Sequence, residues 1–273
     1  MIKVIYSDGC SLMAGAEHDS WRINDDTGFE ECDTVWPVYI QKNLFAQSTM
    51  FSRATTGSSN YGIARRTIKF VNELLEKYDP DEILVCIMWT SLYRTEFRVD
   101  KETNENRPRN NDEVNFISIL PTDNMIHLNQ KPTGELADNN YRKKFLHSNK
   151  LLKVSDSLYQ SMNRNLNFAY YSYSQIEYVN LFLKSHGIKS LQCFGFGCHL
   201  DYKNFVPTAD VAHDNYTRQI AKRCEEYDIY YVRKKFAEGF YEWAGHSHKF
   251  GPGLHPLDGA HLQWSRQMMR KIG

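Results

Sequence analysis

The chain has no paired-cysteine spacing. Its six cysteines, Cys10, Cys32, Cys86, Cys193, Cys198 and Cys224, include no C-x-x-C, which excludes a thioredoxin-type redox motif and a cysteine-built zinc ribbon and leaves buried free thiols as the expected state. It also lacks an H-E-x-x-H pair, an internal repeat and any apolar run near the roughly 20 residues that a membrane span needs. The opening "MIKVIYSDGC" has no signal-like apolar stretch, so a soluble, cytoplasmic protein is expected. Charge of either sign is missing as an excess. With 33 basic and 33 acidic residues, nothing favours a general attraction to nucleic acid or to an anionic membrane. What these absences leave is an intracellular protein for a small-molecule substrate, with the oligomeric state unspecified. At 273 residues the chain suffices for one large domain.

Apolar runs of strand length recur at "IKVIY" (2–6), "EILVCIMW" (82–89), "IKSLQCFGF" (188–196) and "IYYVR" (229–233), with a weaker run at "STMFSRA" (48–54). Helical periods fall between them. Ala64, Ile68, Val71, Leu75 and Tyr78 recur at three- and four-residue steps and predict a helix that stops before Asp79-Pro80, its polar face carrying Arg65, Lys69 and Glu73. A second stripe runs through Leu158, Met162, Leu166, Ala169, Tyr173, Ile176 and Leu183 and ends at Gly187. Strand and helix in alternation predict a mainly parallel sheet of about five strands, covered on both faces. Residues 98–150 are rich in Asn, Asp, Lys and Pro, interrupt this alternation, and read as an insertion in which "VNFISIL" has the alternation of a hairpin arm. The short basic runs "RRTIK" and "RKK" read as solvated faces.

Two stretches have the residue types that catalysis uses. In "YSDGCSLMAG" (6–15) the first strand runs straight into a Gly-rich turn holding Ser11, and strand carboxyl ends meeting helix starts are where α/β proteins gather ligands. Ser11 reads there either as a nucleophile or as a cap and turn filler. In "GPGLHPLDGAHLQWSRQMM", Asp258 and His261 stand three apart at a helix start, a spacing that brings two side chains to one side. A carboxylate on one ring nitrogen fixes the tautomer that accepts a proton at the other. The same spacing fits a helix cap followed by a satisfied histidine. His246, His248, His255 and His261 with Asp258 also offer metal-type ligands, but at no recognised metal spacing.

Taken in order, Ser11 after the first strand, Gly57 in "TTGSSN", the polar tip "MWTS" (88–91) and the terminal D-x-x-H resemble the blocks of the SGNH/GDSL hydrolases over nearly the whole chain. The resemblance implies a single three-layer, flavodoxin-like α/β domain over residues 1–273. It implies a serine esterase with Ser11 as nucleophile, His261 as base, Asp258 as its orienter, and the N–H groups of Ser11 and Gly57 in the oxyanion hole, with no cofactor and no metal. The substrate it implies is a small or carbohydrate-linked ester. Two departures stand out. Gly9-Cys10-Ser11 replaces Gly-Asp-Ser, and the Gly-x-Asn expected after the third strand is Trp89-Thr90-Ser91. The missing amide donor leaves Ser91, Asn60 and Arg94 as candidates for the third oxyanion contact or for a substrate anchor. It equally suits an SGNH-like fold retained for binding a carbohydrate or another small ligand.

Overall fold

The computed structural model describes residues 1–24, 29–92, 94–98, 116–119, 166–196, 215, 219, 222, 226–230, 232–233 and 237–272. Its centre is a parallel sheet. Strand β1 (Val4–Gly9) is buried along its whole length and leads into the single turn α1 (Ser11–Ala14). A small antiparallel pair, β2 (Arg22–Ile23) with β3 (Glu30–Glu31), precedes α2 (Trp36–Leu44). Then come β4 (Thr49–Ser52), α3 (Asn60–Leu75), β5 (Ile83–Trp89) and β6 (Thr95–Arg98). Strand β7 (Phe116–Ile119) pairs antiparallel with β6, Thr95 opposite Ile119. The remainder of the expected 98–150 insertion lies outside the described residues, as do Leu158 and Met162 of the second stripe and Cys198 and Cys224. Helix α4 (Leu166–Ser185), β8 (Lys189–Phe194), the ribbon β9 (Val232–Arg233) with β10 (Ala237–Glu238), α5 (Phe240–Gly245) and α6 (Asp258–Met269) complete the order.

The main sheet runs β4-β1-β5-β8, all parallel, with Val4 beside Thr49 on one side and Ile83 on the other. The fifth expected strand, 229–233, is reduced among the described residues to one parallel bridge, Cys193 with Tyr230. Val232 and Arg233 pair with β10. Alternation splits the sheet's side chains into two apolar clusters. Val4, Tyr6, Val85, Ile87 and Trp89 pack with Ile63, Val71, Tyr173 and Ile176 of α3 and α4. Ile5, Cys86 and Met88 pack with Leu12, Trp36, Ile40, Phe240 and Trp264 of α1, α2, α5 and α6. Strands buried on both sides are what near-continuous apolar runs such as "ILVCIMW" require.

Two sequence readings of α3 change. The helix ends at Leu75 rather than at the Asp79-Pro80 step, and Asp79 instead caps the short turn Pro80–Glu82. Arg66, read as part of a solvated basic face, is 2 % exposed. It reaches under the sheet to the Asp8 carboxylate, with Nε to Oδ2 at 3.1 Å and Nη2 to Oδ1 at 2.6 Å. Tyr6 Oη (2.8 Å) and the Gly9 N–H (2.6 Å) also donate to that carboxylate, while Arg66 Nη2 donates to Ser58 Oγ at 3.0 Å. Burial pushes the Asp8 carboxyl up to about 6, and the Arg66 charge and these hydrogen bonds pull it back toward the ionised form. The network fixes the end of β1 to the loop before α3.

Candidate active site at the carboxyl end of β1

With the strands taken in chain order, the sheet's sequence reverses direction at β1, between β4 and β5, the switch point at whose carboxyl ends sheets of this kind bind ligands. Ser11 begins the turn that follows the carboxyl end of β1. Cys10, in extended backbone, is the N-cap of α1 and its side chain caps nothing. The Ser11 hydroxyl makes no hydrogen bond among the described residues and the residue is 6 % exposed, so it neither caps the helix nor closes the turn. α1 ends on Gly15 at φ 71°, a left-handed position, and a Cβ there would stand 2.5 Å from Cys32 Sγ. Only glycine meets both conditions.

On the neighbouring loop, Gly57 takes φ 82°, again a glycine conformation. Glu30, 2 % exposed, holds that loop by accepting from the Thr56 N–H at 3.2 Å and from Thr56 Oγ1 at 2.5 Å. Asn60 is fully buried and spends its carboxamide on the main chain of Thr90, accepting from the N–H at 2.9 Å and donating to the carbonyl at 3.3 Å. It pins α3 to the end of β5. Ser91 follows β5, and its carbonyl accepts from the Arg94 N–H at 3.2 Å. Arg94 Nη1 donates to the Ser58 carbonyl at 3.3 Å, with the guanidinium 5.4 Å from the centre of the Phe196 ring. Glu96, the obvious surface partner for Arg94, instead pairs with Arg65 and Ser59.

At the last block the spacing misleads. Asp258 and His261 both belong to α6, but Asp258 Oδ1 lies 2.7 Å from His18 Nδ1 and accepts from Thr34 Oγ1 at 3.0 Å. His261 points inward, fully buried, and its Nδ1 accepts the Trp36 N–H at 3.3 Å. The proton therefore sits on Nε2, which has no partner among the described residues. Burial, then the charges of His18 and His255, hold this imidazole well below the usual histidine range. Its accepting lone pair is occupied by backbone and no carboxylate orients it. His18 differs: its Nε2 faces the Pro256 carbonyl at 3.0 Å, while Nδ1 lies 2.9 Å from Thr34 Oγ1, which itself donates to Asp258, and 2.7 Å from the Asp258 carboxylate. The carbonyl and the carboxylate are acceptors, which favours the imidazolium. Burial works against that charge, but Cys32, the Pro256 carbonyl and Asp258 outweigh it and the pKa is raised.

A further pair had no sequence signal. Glu17, two positions past Gly15, accepts from the N–H groups of Gly253 and His255, the latter at 3.1 Å, and from His255 Nδ1 at 2.9 Å. Burial raises the Glu17 carboxyl, but these donors outweigh it and leave its pKa lowered. Residues 17 and 18 thus clasp the loop before α6 from both sides. Only the "GPG" around Pro252 hints at this in the sequence, because small residues there make room for another chain segment. A Cβ on Gly251 or Gly253 would come within 2.7 Å or 2.6 Å of the Glu17 carboxylate oxygens. Among the described residues no group of three or more His, Cys, Asp or Glu is placed to hold a metal ion, and no helix is long and apolar enough to cross a membrane.

Residues 20–133 match a family model described as "Family of unknown function (DUF6071)". No curated protein matches the chain. Among solved structures it is similar to a member of the lipolytic protein G-D-S-L family from Veillonella parvula (TM-score 0.42, 10% identity, covering 99% of this chain and 97% of that one). It is also similar to an extracellular lipase from Streptomyces rimosus (0.44, 10%, 99% and 100%) and to an acetylxylan esterase from Geobacillus stearothermophilus (0.42, 12%, 99% and 94%). Likenesses at this level concern overall arrangement and transfer no residue role.

Proposed function

We propose that the chain is a single SGNH-like α/β domain, three-layered and flavodoxin-like with an insertion at about 98–150, and that it hydrolyses a small or carbohydrate-linked ester through Ser11. The observation that carries this reading is the unengaged Ser11 hydroxyl at the switch point of a parallel sheet, on a residue that has no capping or turn-closing duty. Ser11 Oγ attacks the ester carbonyl, its proton passes to a neighbouring imidazole, and the alcohol leaves with that proton. Water then releases the acyl group by the same route. The Ser11 and Gly57 N–H groups receive the developing oxyanion. Asn60 supports this hole by fixing the Thr90 backbone rather than by donating to it. Arg94 and Ser91 border the substrate, with Arg94 suited to an anionic or hydroxyl-rich group.

The test is hydrolysis of short-chain p-nitrophenyl esters and acetylated sugars by wild type and Ser11→Ala, with fluorophosphonate labelling followed by intact mass. Loss of both hydrolysis and the adduct in Ser11→Ala is expected. Equal behaviour of the two proteins would remove Ser11 from the chemistry. One observation favours a second reading: the third block has no Asn, and the Asn60 carboxamide that could replace it is committed to Thr90. A protein that binds acetylated sugars, with neither turnover nor phosphonate adduct, would be a ligand-binding descendant of the fold.

A further inference from the structure

Two imidazole–carboxylate pairs tie the turn following Ser11 to the last loop and the start of α6, His18 with Asp258 and His255 with Glu17, and in the second the imidazole belongs to the loop. Glu17 follows the C-cap of the Ser11 helix, and Ser11's own carbonyl accepts from the N–H groups of Gly15 and Ala16 immediately before it. The carboxylate accepts only, so the proton of a neutral His255 sits on Nδ1 and Nε2 carries the lone pair. Nε2 makes no hydrogen bond among the described residues, and the ring is 23% exposed. Glu17 at φ 71° and Leu254, next to His255, at φ 66° are non-glycine residues in the left-handed region. Such positions persist only where surrounding contacts enforce them. The contacts joining the two segments include the three hydrogen bonds to the Glu17 carboxylate.

Of the other imidazoles of the region, His248 has its Nδ1 3.3 Å from Ser247 Oγ and its ring against Trp243, with no carboxylate partner among the described residues, and the remaining three are engaged through their partners. His261 has its Nδ1 lone pair on the Trp36 N–H and is sealed from solvent, while His18 faces an acceptor at each ring nitrogen. His246 uses Nε2 on Glu238 at the opposite margin of the segment. We infer that His255 is the general base for Ser11 and that Glu17 is its positioning residue, so that the orienting acid is supplied by the turn after the first helix and not by the start of the last one. This rests on Ser11 being the nucleophile. In the step itself the Ser11 Oγ–H proton moves to His255 Nε2 as the Oγ–C bond forms. The ester C–O bond then breaks and the departing alkoxide takes that proton. Water attacks the acyl carbon and gives a proton to Nε2, the bond between the acyl carbon and Oγ breaks to release the acid, and Nε2 returns the proton to Ser11 Oγ. Glu17 stays ionised throughout and keeps Nδ1 protonated.

The experiment compares wild type with Ser11→Ala, His255→Gln, His255→Gly, Glu17→Gln, Glu17→Asp and His246→Gln, all checked for folding by circular dichroism. It reads p-nitrophenyl ester hydrolysis, the rate of fluorophosphonate adduct formation, and the downfield imidazole N–H proton resonances. Expected are a fall in kcat of about 10²–10⁴-fold for His255→Gln with KM retained, and partial restoration of His255→Gly by added imidazole, which a structural histidine would not show. Glu17→Gln should lower kcat without raising KM and lose the same N–H resonance that His255→Gln loses. Glu17→Asp should recover part of the rate, and His246→Gln should match wild type. If His255→Gln keeps wild-type turnover while Ser11→Ala is dead, the pair is overturned and the serine hydrolase stands. Loss in a folded His261→Gln together with activity in His255→Gln returns the base to His261. Should Ser11→Ala itself hydrolyse and label like wild type, or wild type do neither, both readings fall.

Discussion

Two polar clusters border the Ser11 turn, one beneath it and one beyond it, and they are built for different ends. Beneath lie Asp8 and Arg66, 0 % and 2 % exposed, where the carboxylate meets four donors from Tyr6, Gly9 and Arg66. Beyond lie Glu17 and His255, each about one-fifth exposed, where the imidazole keeps one nitrogen unoccupied. A buried pair with every site filled fixes geometry but has nothing to give a substrate. A partly open pair with a spare lone pair can move a proton. The same side-chain chemistry thus separates into scaffold and tool according to burial and to how many bonding sites are left over.

The largest break in this comparison is Arg66→Met. It strands the Asp8 carboxylate in the core, and removal of one partner of a buried ion pair typically costs about 3–5 kcal/mol. Urea unfolding should show that loss, and the double variant Asp8→Asn/Arg66→Met should recover much of it because no charge is left unpaired. An unchanged midpoint in Arg66→Met would mean that the pair is not holding β1 to α3.

How far the sequence announces these two clusters follows from what each requires. The strand of Ile2, Val4 and Ile5, the turn glycines and the α3 stripe of Ala64, Ile68 and Val71 are local patterns. They led to β1, to Ser11 at a strand end and to a parallel sheet. Arg66 sits two positions from Ala64 and from Ile68 and reads as solvent-facing, because periodicity cannot tell that a long side chain will reach a carboxylate far away in sequence. Glu17 and His255 are further still from local legibility, since they meet only when the first helix and the last loop are folded together. D-x-x-H suggested a pairing that the side chains do not make, for a related reason. Three-residue spacing sets direction around the axis of α6, but what each side chain finds there depends on α2, whose Trp36 N–H takes His261, and on His18, which takes Asp258.

A smaller effect is expected from Gly253→Ala. The added Cβ would fall 2.6 Å from Glu17 Oε1, so the carboxylate must shift while its charge and the His255 ring are both retained. Stability should drop by about 1–3 kcal/mol, the range for disturbing a hydrogen bond to a charged group, with a larger proportional loss in kcat. If turnover holds while stability falls, Glu17 is a brace for the loop and not an orienter of the base.

The smallest effect is in pH dependence, and it separates the clusters by window. Asp8 titrates higher in the fold, at about 6 against an ordinary 3.8, so the folded state binds the extra proton between these values and stability attributable to Asp8 is lost as pH rises from about 4 to 6. His18 is also raised, from an ordinary 6.5, so its contribution is fully present below that value and disappears as pH rises through the folded pKa. The groups facing His18 are Cys32, Asp258 and the neutral ring of His261. Since Asp258 is about half exposed, its share is screened and amounts to about 0.5–1 kcal/mol. Asp258→Asn should therefore flatten the stability curve above pH 6.5 by that much, and leave the acidic segment governed by Asp8 untouched. Urea midpoints measured from pH 4 to 9 decide it: a change confined to the acidic side would assign the coupling to Asp8 and detach Asp258 from His18.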